Sequence, residues 1–199
     1  MKVVNMAQYF ILADKIEDEY CGIYDRPDDF PKIARPSKGV RMEQLYAQEQ
    51  KFRMAKEVPG IKIPDLIHNA VHYLMISAKL KKIFEEHSSA EIEFLRFTLL
   101  NHKGRIASDE CYIANIIGTV DCVDMKRTEG DEDPVNPGRL MRLERLFLLD
   151  DKIDPKLNLF RIKPMPWVVI VRDDLRKIME RERVTGATFH EMGAEVDIL

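Results

Sequence analysis

The sequence predicts an α+β protein, in which a mixed, mainly antiparallel sheet packs with a few short helices and the chain closes on a strand-strand-helix-strand unit. Three observations carry that reading. Apolar runs of strand length recur at QYFILA (8–13), EIEFLRFTLL (91–100), CYIANIIG (111–118) and WVVIV (167–171). Helical periodicity is confined to short stretches, with Pro and Gly breaking the chain between them. At 199 residues, 45% hydrophobic and 33% charged, the chain can bury a core without metal or disulfide staples.

Taken in order, Tyr9 to Ala13 reads as a buried strand. From Asp25 to Gly39, Pro27, Pro31 and Pro36 forbid a helix or central strand, so this stretch is expected to be a surface loop and the best candidate for a mobile segment. Residues 41–58 mix helical spacing at Met42, Leu45 and Tyr46 with strand alternation at Phe52 and Met54, and both elements stay open. Residues 1–58 are thus an N-terminal strand and loop region and 59–199 the main α+β domain, the two expected to form one compact unit. In DLIHNAVHYLMI, Leu66, Ile67 and Ala70 fall on one helical face; in SAKLKKIFEEH, Leu80, Ile83 and Phe84 do so, with Ser77 as N-cap. Two short central helices are predicted.

The apolar phase of EIEFLRFTLL changes between Phe94 and Leu95, as in a bulged strand, and NHKG (101–104) supplies a turn. CYIANIIG is apolar on both faces, which makes it a central strand and the partner of an antiparallel hairpin. TEGDEDPVNPG (128–138) reads as a polar loop. NLFRI and WVVIV are strands, and DDLRKIMERERV is a helix with Leu175, Ile178 and Met179 at i, i+3, i+4, capped by Asp173 and closed by Gly186. ATFHEM is a last strand, and the tail GAEVDIL is expected to fray.

Composition narrows function. Lys and Arg number 31 against 34 Asp and Glu, a net charge of -3, and no basic block could track a phosphate backbone, so no nucleic-acid partner is expected. No apolar stretch approaches a spanning helix and the apolar run near the start is short, so no membrane association and a cytoplasmic location are expected. Three scattered cysteines without a CxxC pair suit a reducing compartment; Cys111 and Cys122 read as buried thiols and Cys21 as exposed.

No reactive constellation emerges. His68 and His72, at i, i+4 on the predicted helix, share a face, but the HExxH carboxylate is missing, as is a third ligand. Asp65, Glu91 and Glu93 lack the lysine of a nuclease cluster, and Asp121 with Asp124 lacks the oxygen-rich loop of a calcium site. Phosphate loops and the nucleophile elbow lack their glycines. The acidic loops 25–30 and 130–134 are solvated turns or a surface for a basic partner, and Trp167 is either core or an interface anchor.

Three segments, PDLIHNAVHYLMISAKLKKIFEE (64–86), YIANIIGTVDCVD (112–124) and LFRIKPMPWVVIVRDDLRKIMERERVTGATFHEM (159–192), resemble the immunity proteins of bacterial polymorphic toxin systems, the myxobacterial-type family numbered eleven. Pro64, Asp65, Ser77, Tyr112, Asn115, Asp121, Asp124, Phe160, Arg161, Gly186 and Phe189 match its pattern. Where relatives often carry a serine after the Asp-x-x-Asp segment, this chain reads KRTEG. The resemblance implies a small α+β protein, not an enzyme and without a cofactor, that binds the toxin encoded by a neighbouring gene and occludes its active site. Such an interface is expected to bury roughly 1,600 Å² in total. Asp131, Glu132, Asp133, Arg139 and Trp167 are the expected contacts. Two rivals are a metal-dependent hydrolase built on His68 and His72, and a noncatalytic small-ligand or regulatory protein.

Overall fold

The computed structural model describes residues 7–31, 35–46 and 50–199. Expectations for residues 1–6, 32–34 and 47–49, including parts of the 25–39 loop and of the open 41–58 stretch, lie outside these. The fold is α+β, as predicted. A four-stranded antiparallel sheet contains β1 (Tyr9–Asp14), β10 (Leu159–Arg161), β11 (Val169–Arg172) and β12 (Ala187–Glu191) in the order β10-β11-β1-β12. A six-stranded mixed sheet is built from β2 (Gly22–Ile23), β3 (Lys51–Arg53), β4 (Leu66–Asn69), β5 (Met75–Ser77), β6 (Ile92–Leu100) and β7 (Ile106–Ile116). Its order is β2-β4-β5-β7-β6-β3, antiparallel except where β2 meets β4 and β3 meets β6. A separate hairpin pairs β8 (Glu129–Glu132) with β9 (Leu140–Arg145).

The helices α1 (Ala78–His87) and α2 (Asp173–Arg181) lie where the two large sheets meet. Period-2 alternation divides the core into layers. On β1, Phe10 and Leu12 face this helix layer, joined by Ile76, Leu80, Phe84, Ala114, Val171 and Leu175. Tyr9 and Ile11 point the other way, into a cluster with Leu140, Leu143, Phe160 and Ile170. Both faces of β1 are buried, which explains its unbroken apolar run. A third cluster covers the far face of the six-stranded sheet, where Phe30, Met42, Phe52 and Met54 from the N-terminal region pack on Ile67, Met75, Phe97 and Ile113. Within it, Phe30 stacks on Tyr73 at 5.4 Å, which anchors the described part of the 25–39 loop.

Several elements differ from expectation for identifiable reasons. Residues 66–77 are the hairpin β4–β5, and only one central helix follows. Leu66 and Ile67 are both buried but on opposite sheet faces, so their adjacency is a strand signature that mimics helical spacing. The turn is closed by Asn69, whose amide donates to Tyr73 O at 2.7 Å and accepts from Tyr73 N at 2.9 Å. Ser77 does cap α1, its hydroxyl accepting from Leu80 N at 3.3 Å, and Leu80, Ile83 and Phe84 are its buried stripe.

The phase change in β6 is a change of face, with Ile92 and Phe94 toward the helix layer and Leu95, Phe97 and Leu99 toward the opposite cluster. Register shifts do occur, but later, between Phe97 and Leu100. Part of the 128–138 loop is β8, whose Gly130 allows close approach: a Cβ there would lie 2.2 Å from Arg142 O.

In α2, Asp173 lies inside the first turn, bonded to Arg176 and Lys177, and Arg172 is the N-cap without a side-chain cap. The helix ends before Gly186: Arg183 takes the left-handed position at φ 52°, and Val184 N donates to Met179 O at 2.9 Å. The tail is held, not frayed, by paired bonds between Leu143 and Ile198 at 2.8 and 3.1 Å. Cys21 is fully buried.

Candidate partner-binding surface

The residues that carry the family resemblance form structural networks. The Asp65 carboxylate accepts from Thr185 N (2.9 Å), Thr185 Oγ1 (3.0 Å), Ser77 Oγ (2.7 Å) and Lys79 Nζ (3.1 Å), tying the start of β4 and the cap of α1 to the approach of β12. Burial acts to raise its pKa, but these hydrogen bonds outweigh it and hold the carboxyl below its ordinary value. Gly186 sits at φ 73°, so close to this junction that a Cβ would lie 2.3 Å from Leu66 O and 2.6 Å from Pro64 Cβ. Asn115 donates to Val40 O and to Glu93, each at 2.8 Å. Asp121 pairs with Lys163 at 2.6 Å, and Asp124 accepts from Lys126 N at 3.1 Å.

Arg161 is among the largest fully buried side chains of the described residues. Its guanidinium donates to Ile116 O at 3.3 Å and to Pro166 O at 2.7 Å, bridging the two large sheets. It meets no carboxylate among the described residues, one of its terminal nitrogens has no partner, and burial pushes its pKa down to about 10. It stays charged at neutral pH.

Of the sequence-based reactive candidates, His68 and His72 meet at one cavity, whereas Asp65, Glu91 and Glu93 are engaged separately. His68 sits on β4 and contacts Asp14 through Nδ1. His72 occupies the β4–β5 turn at φ 59°, where burial lowers its pKa against the opposing influence of Asp14. Both line a cavity of about 520 Å³. No group of three His, Cys, Asp or Glu able to hold a metal occurs among the described residues. Asp65, Glu91 and Glu93 have separate partners: Glu91 pairs with Arg41, and Glu93 accepts from Met42 N at 2.8 Å. All three thiols are buried, with Cys21 and Cys122 pushed up to about 12 by desolvation.

The residues expected at the interface occupy two adjoining places. Asp131 and Glu132 are exposed on β8 and form no ion pair among the described residues. Arg142, opposite Asp131, pairs instead with Asp197 at 2.7 Å, and Arg145 pairs with Glu129, its own cross-strand partner, at 3.7 Å. Asp133 instead builds the hairpin turn, accepting from Val135 N (2.8 Å), Asn136 N (3.1 Å) and Asn136 Nδ2 (2.8 Å); the Asn136 and Val135 bonds lower its pKa. Arg139 ends that turn and lines a cleft of about 310 Å³ together with Trp167.

Trp167 is half-buried, its indole fixed by Nε1 donating to Leu199 O at 2.9 Å, with the His72 ring 5.7 Å away. Arg35, Lys38 and Lys163 complete the cleft's cations. Arg35 and Lys38 belong to one 3₁₀ turn, Pro36–Lys38 with Arg35 as its N-cap, and Lys163 lies more than a hundred residues further on, so spacing gave no signal of their meeting.

Fold and surface define an α+β protein whose motif residues are committed to structure, with Asp131 and Glu132 unpaired among the described residues on a hairpin that adjoins a cation-lined cleft. Residues 8–194 match the model described as Immunity protein family (Imm11), nearly the whole chain. The chain belongs to that family. A search of curated proteins finds no match. No helix among the described residues is long and apolar enough to cross a membrane.

Proposed function

We propose that this chain binds the toxin encoded by a neighbouring gene and neutralises it in the cytoplasm by occluding the active site, without catalysis or a cofactor of its own. The family match over residues 8–194 is the observation that carries this reading. Contact is made through the β8–β9 hairpin and the adjoining cleft. Asp131 and Glu132, exposed and unpaired among the described residues, meet basic side chains of the toxin, while Arg139 and Trp167 supply anchors of the kind that dominate interface energetics. Asp133 contributes by shaping the turn that presents them.

Expressing the neighbouring gene in a bacterial host with and without this chain tests the reading. Growth arrest by the neighbour alone, rescued by coexpression and accompanied by a copurifying complex, is the expected result. A lethal neighbour that is neither rescued nor bound refutes it.

A further inference from the structure

The cleft beside the hairpin has an unusual charge content. Arg35, Lys38, Arg139 and Lys163 all line it, and no carboxylate among the described residues does. Of these four, only Lys163 forms an ion pair among the described residues, with Asp121. Asp133 lies near enough to influence Arg139, but its oxygens are engaged by the turn. On a chain with net charge -3, three unneutralised cations around one small hollow form a local reversal of sign.

The hollow is also rigidly framed. Arg35 precedes and Lys38 ends a 3₁₀ turn at Pro36–Lys38, whose Pro36 and Ser37 are buried. That turn is locked to the opposite wall: Gly39 O accepts from Gly118 N at 2.8 Å, and a Cβ on Gly39 would lie 2.6 Å from Gly118 O. Lys163 N donates to Val120 O at 3.0 Å. Behind the floor, buried Arg161 holds the Pro166 carbonyl, so a further cation without a carboxylate partner among the described residues backs the segment that carries Trp167. Cationic side chains carried on a fixed backbone around an apolar indole suit a carboxylate that arrives with hydrocarbon attached.

We infer that this cleft docks a carboxylate-rich peptide segment of the partner, with Arg35, Lys38 and Arg139 pairing its Asp or Glu side chains over the Trp167 ring. That the partner is a toxin rests on the function proposed above; the chemistry of the segment rests on the cleft. The interface is then bipolar, acid on the hairpin and base in the cleft, which fixes the orientation of the bound partner.

Trp167 is the sole tryptophan, so its fluorescence reports on the cleft directly. The full chain is titrated with a synthetic octaglutamate peptide, with octalysine and with inorganic phosphate. A saturable response to octaglutamate that weakens with salt, and at least about tenfold in a Lys38→Glu, Arg139→Glu double variant, supports the inference. A milder Lys38→Gln, Arg139→Gln pair gives an intermediate loss and guards against misfolding.

No response to octaglutamate, an equal response to octalysine, or a phosphate response that competes octaglutamate away on equal terms overturns it. In parallel, the purified neighbour product is tested against both forms. Loss of binding in the double variant supports the inference, and unchanged binding overturns it. A neighbour that binds neither form refutes the toxin reading, and the peptide titration still decides the cleft.

Discussion

Asp65 joins three elements through one carboxylate, and its removal gives a stability change that can be worked from the structure. In Asp65→Ala, Thr185 N, Thr185 Oγ1 and Ser77 Oγ lose their acceptor, while the Lys79 ammonium, with its side chain 45% exposed, returns to water at little cost. Three hydrogen bonds to a charged group, at about 1.5 kcal/mol each, give a loss of about 4.5 kcal/mol, or roughly 9–18 °C in Tm for a chain of this size. Asp65→Asn keeps the shape and one acceptor and loses about half as much.

The pH dependence carries a sign. Because the folded pKa lies below the ordinary value of 3.8, the stabilisation is fully present above that value and disappears as acid titrates the carboxyl through its lowered pKa. Urea unfolding of wild type and Asp65→Asn at pH 7, 5 and 3 therefore shows a gap that is constant from 7 to 5 and shrinks at 3. A gap that is absent at pH 7, or as large at pH 3, refutes the reasoning.

Other expectations follow from single sites. Arg161→Met retains volume while removing a desolvated charge, and stays within about 2 kcal/mol of wild type; Arg161→Ala opens a cavity and loses more than about 3 kcal/mol, both read by urea unfolding. Gly186→Ala combines positive φ with a backbone clash and costs at least about 2 kcal/mol, seen as a lowered thermal midpoint. The three buried thiols do not react with an aromatic disulfide reagent at pH 8 until denaturant is added; fast native labelling of one or more contradicts their burial.

Sequence reasoning recovered the elements whose burial pattern is simple. The twice-buried β1 and the C-terminal unit from β10 to β12 were legible because their alternation or helical spacing has one interpretation. The β4–β5 hairpin was not, since Leu66 and Ile67 are adjacent apolar residues serving opposite faces, and the turn depends on an Asn69 side chain that periodicity does not register. β8 is hidden because all four of its residues are exposed and carry no apolar signal. The tail is held by main-chain pairing with β9 and by the Trp167 indole, contacts independent of its polar composition.

The surface divided the same way. Arg139 and Trp167 do meet in one cleft, whereas Asp133 is turned to its own loop. Arg35, Lys38 and Lys163 could be added only once the 3₁₀ turn, the 118–120 turn and β10 were placed side by side. The motif residues Asp65, Asn115, Arg161 and Gly186 likewise gain meaning only from their partners: each closes a junction between distant segments.

The most direct test of the proposed neutralisation is a titration of the purified neighbour-encoded toxin domain with this protein, reading the toxin's own activity. The account predicts a linear fall to background at one equivalent, accompanied by a stable complex, with the end point lost when Asp131 and Glu132 are replaced by Lys. Full toxin activity in the presence of several equivalents of folded protein would contradict it.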